Sequence, residues 1–241
     1  MNSSLFEVIS TYDLELAPNR IDIWQFSLTQ APINRDIILN EEELARGNRF
    51  YFPHHKRRFS IARAMLRLIL SRYLQLNPEM LTFSYNKYGK PSVINNKQLE
   101  FNISHSQDLA ILAIGQQFPL GVDLEFFSAR PYKGIAKHLF SEQEQKELAN
   151  LPSYYQPLGF FNIWAQKEAF IKACGMGLSY PTEQFSVNIV SYGRQTIFDP
   201  LHQQLVSLVS FMPAMACCAA LCFDPSILSL RKITLPSNQD F

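Results

Sequence analysis

Residues 160–178, FFNIWAQKEAFIKACGMGL, are the stretch whose reading decides what kind of fold this chain adopts. At helical spacing Phe160, Ile163, Trp164, Phe170, Ile171 and Cys174 share one arc, which predicts an amphipathic helix laid on a core. Glu168 and Lys172 stand four residues apart and are neighbours on one flank of that arc. Lys167 falls inside the arc, where a charge must snorkel or find a partner. Gly175 and Gly177 then stop the helix, as expected where the backbone needs positive φ or passes close to a ligand.

Working outward, Ser141–Leu148 opens another helix with a capping box from Ser141 to Glu144. Leu120–Phe126 reads as a strand, and 99–104 and 109–114 read as strands flanking a polar turn, SHSQD. Upstream, Lys56–Leu74 predicts a second long helix with Phe59, Ala62, Leu66, Ile69, Leu70 and Tyr73 inward. Its other face carries a basic stripe, Lys56, Arg63 and Arg67, that is solvated, paired with acids or turned toward a phosphate; Arg46 and Arg49 lie just before it. Asn40–Arg46 begins a capped acidic helix, Ile21–Leu28 and Leu81–Tyr85 are strands, and Asn86–Pro91 is a loop presenting Lys90. Residues 186–197 supply a late strand, and the proline-rich tail beyond Asp224 is expected at the periphery. Each half of the chain thus runs from a long helix through a glycine turn into strands. That echo favours an α+β fold of two similar halves, 1–117 and 118–241.

Composition removes several classes of function. The 241 residues are 47% apolar and 18% charged, which suits a packed globular protein. A net charge of +1 argues against a dedicated nucleic-acid binder. The N-terminus lacks the basic region of a signal peptide. Leu205–Phe223 is uncharged and long enough to span a bilayer, but Pro213 and two serines interrupt it, so it predicts two buried strands joined by a turn at 212–214. No membrane attachment is expected. Cys174, Cys217, Cys218 and Cys222 lack a metal-ligand spacing and read as free thiols of a reducing cytoplasm.

The chemistry gathers in two places. Along 120–126, strand alternation sends Leu120, Val122 and Leu124 one way and Gly121, Asp123 and Glu125 the other. Two carboxylates on one face repel unless a cation lies between them; the alternative is a solvent-exposed edge face. With Glu168 added, three hard oxygen ligands without a matching His or Cys set describe Mg²⁺, which also binds substrate phosphates. The second cluster, Asn102-Ile103-Ser104-His105-Ser106, offers hydrogen-bond donors beside Lys90 and the Arg46 region. Its histidine is either a structural hydrogen-bonder or part of a phosphate-reaching donor set. Walker A, Rossmann and G-x-S-x-G signatures are absent from the sequence.

Taken together, YGKP (88–91), FNISHS (101–106), GVDLE (121–125) and WAQKEAFIKACGMGL (164–178) closely resemble the 4′-phosphopantetheinyl transferases of the large, Sfp-like type, over roughly residues 40–225. Either the G-[VI]-D-x-E or the W-x-x-K-E-[AS]-x-x-K motif alone is weak; the pair is specific. The resemblance implies a pseudo-dimer of two α+β halves, each a small antiparallel sheet packed with a long helix, with coenzyme A in the cleft between them. It implies that Asp123, Glu125 and Glu168 hold Mg²⁺ on the coenzyme A pyrophosphate and that Lys172 contacts the phosphates. Lys90, Ser104 and His105 would hold the 3′-phosphoadenosine end, with Asn102 in the same cluster and Arg46 reaching the same ligand. Residue 43 is Glu, where some relatives are basic. Glu168 is also the implied base toward a serine of an apo acyl or peptidyl carrier protein, and at an ordinary carboxylate value it is ionised at pH 7. A monomer is expected. A Mg²⁺-dependent nucleotide phosphodiesterase and a non-catalytic coenzyme A- or carrier-binding module are the rival readings of the same residues.

Overall fold

The computed structural model describes residues 7–9, 14–32, 34–94, 96, 98–129, 131–189 and 193–234. In chain order the elements are β1 (Glu7–Ile9), β2 (Arg20–Ser27), α1 (Arg35–Ile38), α2 (Glu41–Asn48), α3 (Pro53–Leu74), β3 (Phe83–Tyr85), β4 (Pro91–Val93), β5 (Leu99–Ser106), β6 (Leu109–Gln116) and β7 (Gly121–Phe126). There follow α4 (Tyr132–Leu139), α5 (Glu142–Asn150), α6 (Gln156–Cys174), β8 (Gly193–Asp199), β9 (Gln204–Ala214), β10 (Cys217–Phe223) and β11 (Ser229–Thr234). One sheet has the order β1-β11-β2-β6-β5, a second runs β7-β10-β9-β8, and β3 and β4 form a small hairpin.

The fold is mixed α+β, and its layers follow from strand alternation. One face of the first sheet, with Trp24, Phe26, Phe101 and Leu112, packs on Ile61, Leu66, Ile69 and Leu70 of α3. Its opposite face gives Ile21, Ile23, Ile111 and Ala113 to a core shared with Val122, Leu124, Ala219 and Leu221 of the second sheet. The outer face of the second sheet, with Leu208, Ala220 and Cys222, is covered by Phe160, Ala169 and Phe170 of α6. The sheets therefore lie face to face, each backed by one long helix.

Several expectations are corrected. The helix of the opening stretch begins at Gln156 and ends at Cys174, with Gly175 at φ 69° as its cap. It is not a surface helix with one apolar stripe: Ala165, Gln166, Lys167, Ala169 and Phe170 are all buried, so protein surrounds it on most sides. Trp164 and Cys174, assigned to the inward arc, are half-buried. The expected strand at 186–197 starts at Gly193 instead. The turn placed at 212–214 lies at Met215 and Ala216, the latter at φ 55°. Pro213 is tolerated inside β9 because β8 pairs no further than Ser210 and the register with β10 slips across that end.

The tail is not peripheral through Thr234. Strand β11 lies between β1 and β2 and runs parallel to both, so the first sheet is mixed rather than antiparallel. Arg231 brings a buried charge with it, and its guanidinium takes both oxygens of Asp22, at 2.7 and 2.6 Å. Tyr73 donates to the same carboxylate at 2.8 Å. No helix among the described residues is long and apolar enough to cross a membrane. The four cysteines are free thiols.

Candidate active site

Strand β7 is an edge of the second sheet, and β5 is the facing edge of the first. An edge strand must satisfy its outward N–H groups. Here three side chains of β5 do it: Asn102 Oδ1 accepts from Val122 N at 2.8 Å, Ser104 Oγ from Leu124 N at 3.4 Å and Ser106 Oγ from Phe126 N at 3.2 Å. Alternation on both strands keeps the pairs in step, each 20 residues apart. This side-chain ladder fixes β7 and thereby aims Asp123 and Glu125.

Helix α6 covers those carboxylates, and Gly121 explains how it comes so close. A Cβ at Gly121 would stand 2.1 Å from the Ala169 carbonyl and 2.3 Å from the Ala173 nitrogen, so only glycine lets strand and helix backbones touch here. The approach puts Lys172 Nζ 2.5 Å from Asp123 Oδ1 and 3.0 Å from Ser104 Oγ. Ser104 itself donates to Asp123 Oδ1 at 2.8 Å. Two turns back along α6 from Lys172, the Trp164 indole donates to Glu125 Oε1 at 3.1 Å, and Ser106 Oγ stands 3.5 Å from Glu125 Oε2. Trp164 thus packs on the core, stacked on Phe160, while its N–H reaches Glu125.

Glu168 lies within the electrostatic reach of both acids. Burial, then the charge of Asp123, and less strongly that of Glu125, push its carboxyl up to about 7 against the pull of Lys172. Without a cation it is therefore half-protonated near neutrality, not fully ionised as an ordinary value implies. The other oxygen of Asp123, Oδ2, is buried with no hydrogen-bond partner. Three repelling carboxyl groups and an orphaned hard oxygen fit a divalent cation such as Mg²⁺, which keeps part of its water shell. The three acids do not close to within 4.8 Å of one another as one ligand trio; among the described residues, Cys174, Asp199 and His202 do.

The remaining sequence candidates separate. Lys90 Nζ donates to Leu120 O at 3.0 Å and Ala173 O at 3.1 Å, tying the loop to the start of β7 and the end of α6. His105 belongs to β5 rather than to the turn, which is the pair Gln107-Asp108. Its imidazole is held below the usual histidine range, first by desolvation and then by the nearby charges of Lys172 and Arg58. Arg46 is exposed on α2 and stacks over Phe59, with 5.3 Å to the ring centre. Arg63 and Arg67 spend the basic stripe on Glu43, at 2.5 and 2.7 Å, which gives the acidic residue 43 a structural task. Glu43 also completes the capping box that starts α2. Sequence reasoning missed Arg58 and His55, whose charges reach His105. Their signal was the run HHKRR (54–58) at the start of α3.

Lys167 finds its partner on α5 rather than among the carboxylates of β7. Its ammonium pairs with the buried Glu144 at 2.9 Å, donates to Thr182 O and Phe185 O, and lies 4.2 Å from the Phe185 ring centre. The capping-box acid of α5 is therefore also the counter-ion of α6.

An acidic strand is thus held against a helix that presents Glu168 and Lys172 beside it. Residues 119–218 match the family profile described as "4'-phosphopantetheinyl transferase superfamily", and residues 24–117 match "4'-phosphopantetheinyl transferase, N-terminal". The chain is 38% identical to 4′-phosphopantetheinyl transferase HetI of Nostoc sp. PCC 7120 over 177 residues, 69% of this chain and 73% of the relative. It is 34% identical to 4′-phosphopantetheinyl transferase Sfp of Bacillus subtilis strain 168, covering 66% of this chain and 70% of that one. It is 30% identical to 4′-phosphopantetheinyl transferase gsp of Aneurinibacillus migulanus, covering 71% and 68%. The chain belongs to the 4′-phosphopantetheinyl transferase family.

Proposed function

We infer that this protein transfers the 4′-phosphopantetheine group of coenzyme A to a serine of apo acyl or peptidyl carrier proteins, giving the holo carrier and 3′,5′-ADP. The observation that carries the reading is the contact of β7 with α6, where Lys172 bridges Asp123 and Ser104 beneath Glu168. Asp123, Glu125 and Glu168 would hold Mg²⁺. When bound, it supplies charge neutralisation at a pyrophosphate and stabilises a leaving phosphate oxygen.

The chain's own residues account for the rest. Glu168 would accept the serine proton, directly or through a water, on the oxygen that the ion leaves free. Lys172 can exchange its contact with Asp123 for a phosphate oxygen and so offset negative charge as the phosphoryl group moves. The guanidiniums of Arg58 and Arg46 would supply positive charge for the 3′-phosphate end, with His105, held below the usual histidine range, as a neutral hydrogen-bonding group beside them. Asn102, Ser104 and Lys90 act mainly as positioning residues, because Asn102 Oδ1, Ser104 Oγ and Lys90 Nζ are engaged in joining β5 and the 86–91 loop to the β7 and α6 segments. We read the two sheet-and-helix units as a pseudo-dimer with coenzyme A in the cleft between them. Both strand and helix of the site come from one chain, which supports a monomer, and free buried thiols support a cytoplasmic setting.

The test is incubation with a panel of apo carriers, coenzyme A and Mg²⁺, read by mass spectrometry. A phosphopantetheine adduct on the carrier serine is expected, and Asp123→Ala should abolish it in a folded protein. No adduct on any carrier, or steady release of 3′,5′-ADP without a carrier, would overturn the assignment.

A further inference from the structure

Asp199 ends β8, and its two carboxylate oxygens do different work. Oδ1 accepts from the Tyr180 hydroxyl at 2.6 Å and from the backbone N–H groups of Leu201 and His202 at 3.0 and 3.2 Å, which fixes the turn into β9. Oδ2 is met instead by metal-ligating side chains, His202 Nδ1 at 2.7 Å and Cys174 Sγ at 3.8 Å. The backbone N–H groups of the turn use Oδ1, and the thiol and imidazole meet Oδ2.

The three residues also sit together beside an accessible cavity. They offer one ligand atom each within 4.8 Å of one another. Cys174 and His202 line a cavity of about 370 Å³ that also touches Phe118, Pro119, Cys222 and Asp224. The His202 side chain is 40% exposed while Asp199 is fully buried, so an ion would meet the histidine first and the carboxylate last.

We propose that Cys174, Asp199 and His202 form a binding site for a borderline divalent transition metal, with Zn²⁺ as the reference ion, distinct from the carboxylates of β7. Thiolate, imidazole and carboxylate with one open position on a cavity is the donor set of a tetrahedral zinc centre, whereas Mg²⁺ takes oxygen alone. On binding, the Cys174 Sγ–H bond breaks and its proton leaves to solvent. His202 shifts its proton from Nδ1 to Nε2, so the Nδ1 lone pair faces the ion. In the metal-free protein burial and the neighbouring Asp199 carboxylate keep that thiol protonated, pushed up to about 12. Lys90, close to both Cys174 and Cys222, favours the thiolate. Because Cys174 is the last residue of α6, the bound ion would clamp the helix carrying Glu168 and Lys172 to the turn between β8 and β9.

The test is titration of chelator-stripped, full-length protein with Co²⁺, followed through the near-ultraviolet thiolate-to-cobalt charge-transfer band. The Asp123, Glu125 and Glu168 set has no thiol and cannot give that band. Expected are saturation at one equivalent, displacement by Zn²⁺, and loss of the band in Cys174→Ala and in His202→Ala, with the band retained in Glu168→Gln. Absence of the band in the unaltered protein overturns the proposal, as does a band that survives both Cys174→Ala and His202→Ala. His202 is substituted because its side chain is largely at the surface, and circular dichroism of both variants keeps loss of metal apart from loss of fold.

Discussion

Gly121→Ala is the sharpest test of how the site is assembled. The added methyl would stand 2.1 Å from the Ala169 carbonyl and 2.3 Å from the Ala173 nitrogen. Both are helix backbone atoms that cannot turn aside, so strand and helix must separate by about 1 Å to restore van der Waals contact. Overpacking of this kind costs about 1–3 kcal/mol, which for a chain of this size lowers Tm by about 2–12 °C. The same displacement moves Asp123 and Glu125 away from Glu168 and Lys172, and about 1 Å of misplacement costs about 10²-fold in rate. Gly134→Ala is the matched control, because its Cβ meets nothing within 4 Å inside α4. There the exchange is expected to be neutral or to stabilise by about 0.5–1 kcal/mol. The two variants are compared by thermal unfolding and by transfer to an apo carrier. If Gly121→Ala matches Gly134→Ala in both assays, the close strand–helix approach is not what builds the site.

Three further outcomes are expected. Lys167→Met strands the buried Glu144 carboxylate and should cost about 3–5 kcal/mol in urea unfolding, and a loss under about 1 kcal/mol would contradict the pairing. Asn102→Ala leaves the Val122 N–H unpaired and should cost about 1–3 kcal/mol; no loss would mean that water replaces the side chain. Glu168 carries a pH signature in metal-free protein. Its folded value, about 7, lies above the ordinary carboxylate range, so between the two the native state binds more protons than the unfolded state. Its contribution therefore falls as pH rises through that window. Glu168→Gln should gain on the unaltered protein from pH 5 to pH 8, and Mg²⁺ should narrow the gap. A pH-independent difference would refute the crowding of the three acids.

What could be read in the chain was what local periodicity controls. Asp123 and Glu125 share a face because a strand repeats every two residues, and Glu168 and Lys172 share a flank because they are four apart on a helix. The Ser141 capping box and the Gly175 stop are likewise local, and both occur. The partner of Lys167 was hidden because Glu144 already had a complete local role as a cap. Trp164 looked like core alone because an indole counts as apolar until its N–H finds Glu125. The polar alternation Asn102, Ser104, Ser106 was visible, but its meaning depends on a facing strand edge from the other sheet. The tail was misread from composition, since Arg231 and Lys232 look like surface residues until Asp22 provides a buried counter-charge.

The position of β11 also sets an order of events. Arg231 and Asp22 are 209 residues apart, yet they pair inside the first sheet. While the chain leaves the ribosome, β2 has one edge open and Asp22 lacks that guanidinium, whereas α3, β5 and β6 are already available. At ordinary synthesis rates that wait lasts about 10–40 s. The first sheet is thus made early but completed last, and the strand that completes it can arrive only after the acidic β7 and its covering helix have been synthesised.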